Sequence, residues 1–241
     1  MKKLNHIFSV LILIVLFSAC RNDDEGQLEI EGKLEVEFVA KMGDEPLVIL
    51  QDYPLQGGIA DFEVVQFYIT NLSIKESTGD TKIVIKEVDL VDFGSENTLF
   101  TKKLEKGTYK NIETGLGLDE FWGNSEPSSF EDDHPLSLFQ NNFWIMSQSY
   151  IFVRIEGNFT KNGVRKSILY HLGDDSFFAK LESENTFEIT EGKTTKKQIV
   201  FDMDAFFSDI DLDIQENTHT IGNFSVAEEL NDKFIASFSV Q

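Results

Sequence analysis

The chain has a single cysteine, Cys20, and only four prolines in 241 residues. One thiol cannot form an intrachain disulfide, and it rules out a Cys-rich zinc site. Basic residues are also scarce, with 21 Lys and Arg against 42 Asp and Glu and a formal charge of −21. Nucleic-acid binding and a polybasic membrane patch both need clustered Lys and Arg, so both are excluded. There is no G-x-S-x-G elbow, and Gly115-Leu116-Gly117 lacks the third glycine and following helix of a dinucleotide loop. No acid–base pair stands out among so many carboxylates, and the chain reads as a non-enzyme. The acidic runs Glu131-Asp132-Asp133 and Asp209-Ile210-Asp211-Leu212-Asp213 lack EF-hand spacing and read as solvated surface. No apolar run reaches the roughly 20 residues that cross a bilayer as a helix.

What is present begins at the N-terminus, MKKLNHIFSVLILIVLFSAC, where two lysines precede an apolar run and the small pair Ser18-Ala19. That order is the signature of a secretory signal over residues 1–19. Leu16-Phe17-Ser18-Ala19-Cys20 resembles a bacterial lipoprotein box, with Phe17 in place of the usual aliphatic residue. Cys20 is therefore the expected lipid attachment site, and its acyl chains the expected membrane contact. Residues 20–27 form an acidic tether, and Arg21-Asn22-Asp23-Asp24-Glu25 resembles the export signal of surface lipoproteins. The expected location is the outer membrane or cell surface of a diderm bacterium.

The remainder, residues 28–241, is expected to form one domain. Leu28, Ile30, Leu34, Val36, Phe38 and Ala40 alternate with glutamates and a lysine, a period of two that marks a half-buried strand. The same pattern predicts strands at 64–74, 82–91, 109–118 and 150–159, with further strands at 167–172, 186–189, 198–203 and 234–240. Helical periodicity is confined to short stretches near 204–207 and 226–233. The predicted fold is all-β, an antiparallel jelly-roll-like sandwich with long loops and little helix. Residues 119–142 break the period and collect Gly, Asn, Ser, Pro and acidic residues, as functional or disordered loops do.

Beyond the leader the histidines are His134, His171 and His219. With no free thiol, a transition-metal site must use imidazole with thioether, carboxylate or a less common donor. Imidazole with thioether favours copper, and thioether favours Cu(I). Each candidate also has a plain structural role. Trp144 can anchor a loop-to-strand junction, Met146 can fill core volume, and His219 reads as surface. His134 is held extended by Pro135, and His171 ends a strand before Gly173-Asp174-Asp175.

Several motifs stand in a telling order: FYITNLSI (67–74), VDLVD (88–92), GTY (107–109), GLGLD (115–119), HPLS (134–137), YIFVRIEG (150–157) and YHLG (170–173). Together they resemble the MbnP-like copper-binding family. The resemblance implies a secreted or lipid-anchored β-sandwich binding copper through histidine and a tryptophan oxidised to kynurenine by a MauG-like haem partner. His171 matches the family's HIG or HLG histidine, Trp144 the first tryptophan of its M-x-W-x-W segment, and His134 the histidine opening HPLS. This chain has Asn142 and Met146 where the pattern has its methionine and second tryptophan, so a Met146 thioether is a candidate replacement. The expected metal set is His134, Trp144, Met146 and His171, with copper as cofactor and kynurenine derived from Trp144. The alternative is a surface binding or structural lipoprotein that keeps the fold without a metal.

Overall fold

The computed structural model describes residues 31–95, 97–214, 217–220 and 222–241. The signal, Cys20 and the acidic tether lie outside the described residues. In chain order the elements are β1 (Glu31–Met42), β2 (Glu45–Pro46), β3 (Tyr53–Leu55), β4 (Gly58–Glu76), β5 (Lys82–Asp92), β6 (Leu99–Glu105) and β7 (Gly107–Leu116). After β7 come α1 (Glu120–Gly123), β8 (Phe143–Trp144), β9 (Ser149–Tyr150), β10 (Val153–Lys161), β11 (Val164–Leu172), β12 (Ala179–Ile189) and β13 (Thr194–Asp202). The chain closes with α2 (Met203–Phe207), β14 (Asn217–His219), α3 (Phe224–Ala236) and β15 (Phe238–Val240).

The architecture is an all-β sandwich. One sheet runs β15-β13-β1-β2 with β6 also paired to β1, and the other runs β12-β7-β4-β10-β11-β14 with β3 and β5 also on β4. The alternation of β1 buries Leu34, Val36, Phe38, Ala40 and Met42. Phe38 of β1 meets Phe67 of β4 edge-on at 5.9 Å between ring centroids, which joins the two sheets through phenylalanine. Phe201 of β13, Phe234 of α3 and Phe238 of β15 complete the cluster around Phe67. Such edge-to-face pairs stabilise a core beyond the area they bury, by roughly 0.5–1.5 kcal/mol each.

Most pairings are antiparallel, but β1–β13 and β11–β14 are parallel. The second of these matters for function. Residues 234–236, predicted as strand, belong instead to α3, because Ala227, Leu230, Asn231 and Phe234 recur at helical spacing and are buried. Strand β6 was not predicted. Only its Phe100 and Leu104 are buried, too little apolar alternation to register in the sequence.

The irregular stretch 119–142 is ordered against the outer face of the larger sheet. Tyr68, on β4, donates its phenolic hydrogen to the Pro135 carbonyl at 2.9 Å, and the Tyr150 hydroxyl donates to the Leu136 carbonyl at 3.1 Å. Leu136 between them is fully buried. Among the described residues, no helix is long and apolar enough to cross a membrane.

Candidate functional site

Alternation along β10 sends Val153 and Ile155 into the core and leaves Arg154 and Glu156 on the outer face. Arg154 is paired in register with His171 of β11, and His171 in turn with His219 of β14. Paired residues share a face. The fold therefore gathers Arg154, Glu156, His171 and His219 on one edge of the outer face.

The side chains meet as the register requires. The His171 and His219 rings lie 4.8 Å apart between centroids at an interplanar angle of 79°. Trp144 approaches from the β8–β9 hairpin, 6.4 Å from the His219 ring. His171 Nε2 lies 2.6 Å from Glu156 Oε1, and Arg154 Nε donates to the same oxygen at 2.6 Å.

Protonation follows from these contacts. Burial pushes the Glu156 carboxyl upward, but the hydrogen bonds from Arg154 and His171 outweigh it, so its pKa is lowered and it is ionised at neutral pH. An ionised carboxylate only accepts hydrogen bonds, so Nε2 of His171 carries the proton. Burial lowers the His171 pKa despite the opposing pull of Glu156, so the ring is neutral. Nδ1 then keeps its lone pair. Metal-binding histidines recurrently have this arrangement, in which the second ring nitrogen is tied to a carboxylate.

Local backbone chemistry brings the pieces together. A Cβ at Gly173 would overlap the Tyr150 carbonyl oxygen, so glycine there lets the Trp144 hairpin close onto the end of β11. The Gly173 amide donates to Thr220 Oγ1 at 2.9 Å, and the Thr220 amide donates to the His171 carbonyl at 3.3 Å, fixing His219 beside His171. The His219 carbonyl accepts from Gly222 and Asn223, at the entry to α3.

Of the expected metal set, Trp144 and His171 come together, and their imidazole partner is His219. His134 sits in another cluster: its ring stacks on Phe130 at 4.1 Å and 7°, with Trp122 at 6.3 Å. Its Nδ1 accepts the Leu136 amide at 3.1 Å, which braces the HPLS turn. Met146 is at the hairpin tip and wholly exposed, so it fills no core volume. Asn142 is buried and donates from Nδ2 to Gln66 Oε1 at 3.3 Å, tying the hairpin's entry to β4. Nothing in the sequence singled out His219, because the parallel pairing of β14 leaves no local pattern. Arg154 and Glu156 were visible as outward residues of a strand, but not as partners of His171.

The MbnP family profile matches residues 31–223, a span that contains the whole cluster. The chain belongs to the MbnP family. Among solved structures, MbnP from Methylosinus trichosporium is similar at 15% identity, over 75% of this chain and 79% of that one, with a TM-score of 0.53. At that identity the likeness to MbnP concerns the fold. No curated protein sequence matches the chain.

Among the described residues no three His, Cys, Asp or Glu side chains converge to hold a metal ion. The cluster therefore offers two imidazoles beside an indole, with Glu156 engaged as a partner of His171. That donor set fits an ion stable at low coordination number with nitrogen donors, as Cu(I) is, better than one demanding four strong ligands.

Proposed function

We propose that this protein is a lipid-anchored copper-binding protein of the outer membrane or cell surface, acting in metal acquisition or handling without catalysis. The observation that carries the reading is the convergence of His171, His219 and Trp144, with Glu156 fixing the His171 tautomer. His171 and His219 would supply nitrogen lone pairs, and the metal would bring its affinity for soft or low-coordinate donors. Arg154 holds Glu156, Glu156 holds His171, and the Gly173–Thr220 clasp holds the two strands in register. Cys20 would carry the acyl anchor, and the net negative charge of the chain favours cations near its surface.

Trp144 is half-exposed on a two-stranded hairpin, within reach of a docking oxidase. In this reading a MauG-like haem partner, with dioxygen or peroxide as the oxidant, would cleave the indole C2–C3 bond and hydrolysis would release C2 as formate, leaving the aryl ketone and aniline of kynurenine beside His219. The test is metal analysis with intact-mass measurement of the purified mature domain, before and after exposure to Cu(I) and Cu(II). Stoichiometric copper supports the proposal. Absence of copper in both oxidation states would leave a surface binding module that keeps the fold alone. A mass change of Trp144 in protein from the native host would support the oxidase partner.

A further inference from the structure

At the other side of the same outer face, β5, β4, β7 and β12 form the floor of a cleft of about 370 Å³. Strand β4 bulges there. Asn71 takes a left-handed backbone at φ 53°, and the β4–β7 register shifts between Thr70 and Ser73. Bulges re-aim side chains and recur beside binding sites. Here the bulge delivers Ser73 to the cleft, paired across its neighbours with Val84 and Glu113.

Ser73 is 1% exposed, and its Oγ has no hydrogen-bond partner among the described residues. A buried hydroxyl left unpaired is costly, and a ligand hydroxyl would satisfy it. The half-buried Phe178 ring forms one wall, seated over Gly115, where a Cβ would overlap the ring. The lining carries both signs of charge, Lys82 and Lys180 against Glu113, Asp119 and Glu182, and the three carboxylates already have partners. Glu113 is ion-paired to Lys75 and Lys82, Glu182 accepts from Asn111 at 2.9 Å, and Asp119 accepts from Asn71 at 2.9 Å.

A strongly charged ligand of either sign would meet like charge there and compete with these contacts. A neutral ligand rich in hydroxyls would not, because each carboxylate keeps spare lone pairs and each lysine keeps spare donors. We infer that the cleft beside Ser73 and Phe178 binds a neutral saccharide, its C–H face on the Phe178 ring and its hydroxyls on Ser73, Asn71 and the charged side chains that line it. This site is separate from the histidine cluster and does not depend on copper.

The experiment is ligand-observed and amide-shift NMR on the purified protein with maltotriose, cellotriose and chitotriose as probes and trigalacturonate as the charged comparison. At least one neutral trisaccharide should bind at millimolar concentration and shift the amides of Asn71, Ser73 and Phe178. Phe178→Leu, which keeps an apolar side chain, should weaken binding roughly tenfold. Ser73→Ala should weaken binding while leaving thermal stability unchanged or raised, since it removes an unpaired hydroxyl. The inference is overturned if no neutral probe binds, if the charged probe is preferred, or if binding survives Phe178→Leu undiminished.

Discussion

Replacing Glu156 with glutamine keeps the shape of the side chain and removes its charge. In the native arrangement one carboxylate oxygen takes hydrogen bonds from both Arg154 and His171 at 2.6 Å, with the Glu156 side chain 17% exposed and that of His171 15% exposed. Glutamine still offers His171 an acceptor, but as a neutral one. A hydrogen bond to a charged group is worth about 1.5–3 kcal/mol and a neutral one about 0.5–1.5, so the exchange costs about 1–2 kcal/mol. For a domain of this size that lowers Tm by roughly 2–8 °C. The copper effect is expected to be larger in proportion, because changing the outer partner of a ligating histidine typically costs about 10–100-fold in affinity. That is about 1.4–2.7 kcal/mol of binding free energy.

The sign of the pH effect follows from the lowered carboxyl. Glu156 contributes stability that is present above its unfolded value near 4.5 and is lost as pH falls through the lower folded value. Glu156→Gln should lack this acid-sensitive component. The assay is competition against a colorimetric Cu(I) chelator, with thermal melts at pH 7 and pH 3.5. Unchanged Cu(I) affinity in Glu156→Gln, in a protein whose His171→Ala variant has lost copper, would refute the carboxylate's role in presenting Nδ1.

Three further outcomes are expected. Gly173→Ala forces a Cβ onto the Tyr150 carbonyl and the start of Ile151, so it should destabilise the domain by about 1–3 kcal/mol and loosen the Trp144 hairpin, seen as a red shift and increased quenching of tryptophan emission. Phe67→Ala removes the ring that joins Phe38, Phe201, Phe234 and Phe238, and should cost about 3–5 kcal/mol in chemical denaturation. Burial lowers the His134 pKa, so this residue contributes stability that is present above about pH 6.5 and is lost as pH falls through its lower folded value. His134→Phe, which preserves stacking, should therefore flatten the fall in Tm between pH 7 and pH 5.

Much of the sandwich was legible because a half-buried strand writes its burial into alternate residues, as β1 and β10 do. What escaped was written elsewhere. Strand β6 is too polar to show alternation, and residues 234–236 carry apolar side chains that suit strand or helix until the packing of Phe234 against Phe67 decides. Direction was hidden too, since nothing in the sequence of β14 says that it pairs in parallel with β11. The site was half legible for the same reason. His171 and Trp144 sit in contiguous motifs, whereas His219 joins them only through a pairing with a residue 48 positions earlier in the chain. His134, in an equally clear motif, turns its ring to Phe130 and works as a brace for the loop over Tyr68.

The proposed copper ligands are His171 and His219. Cu(I) titration of the wild type beside the single variants His171→Ala, His219→Ala and His134→Ala tests that assignment directly. Either of the first two should lose at least 100-fold in affinity, about 2.7 kcal/mol, while His134→Ala should bind as the wild type does. Retention of full affinity in His219→Ala, with loss in His134→Ala, would contradict it.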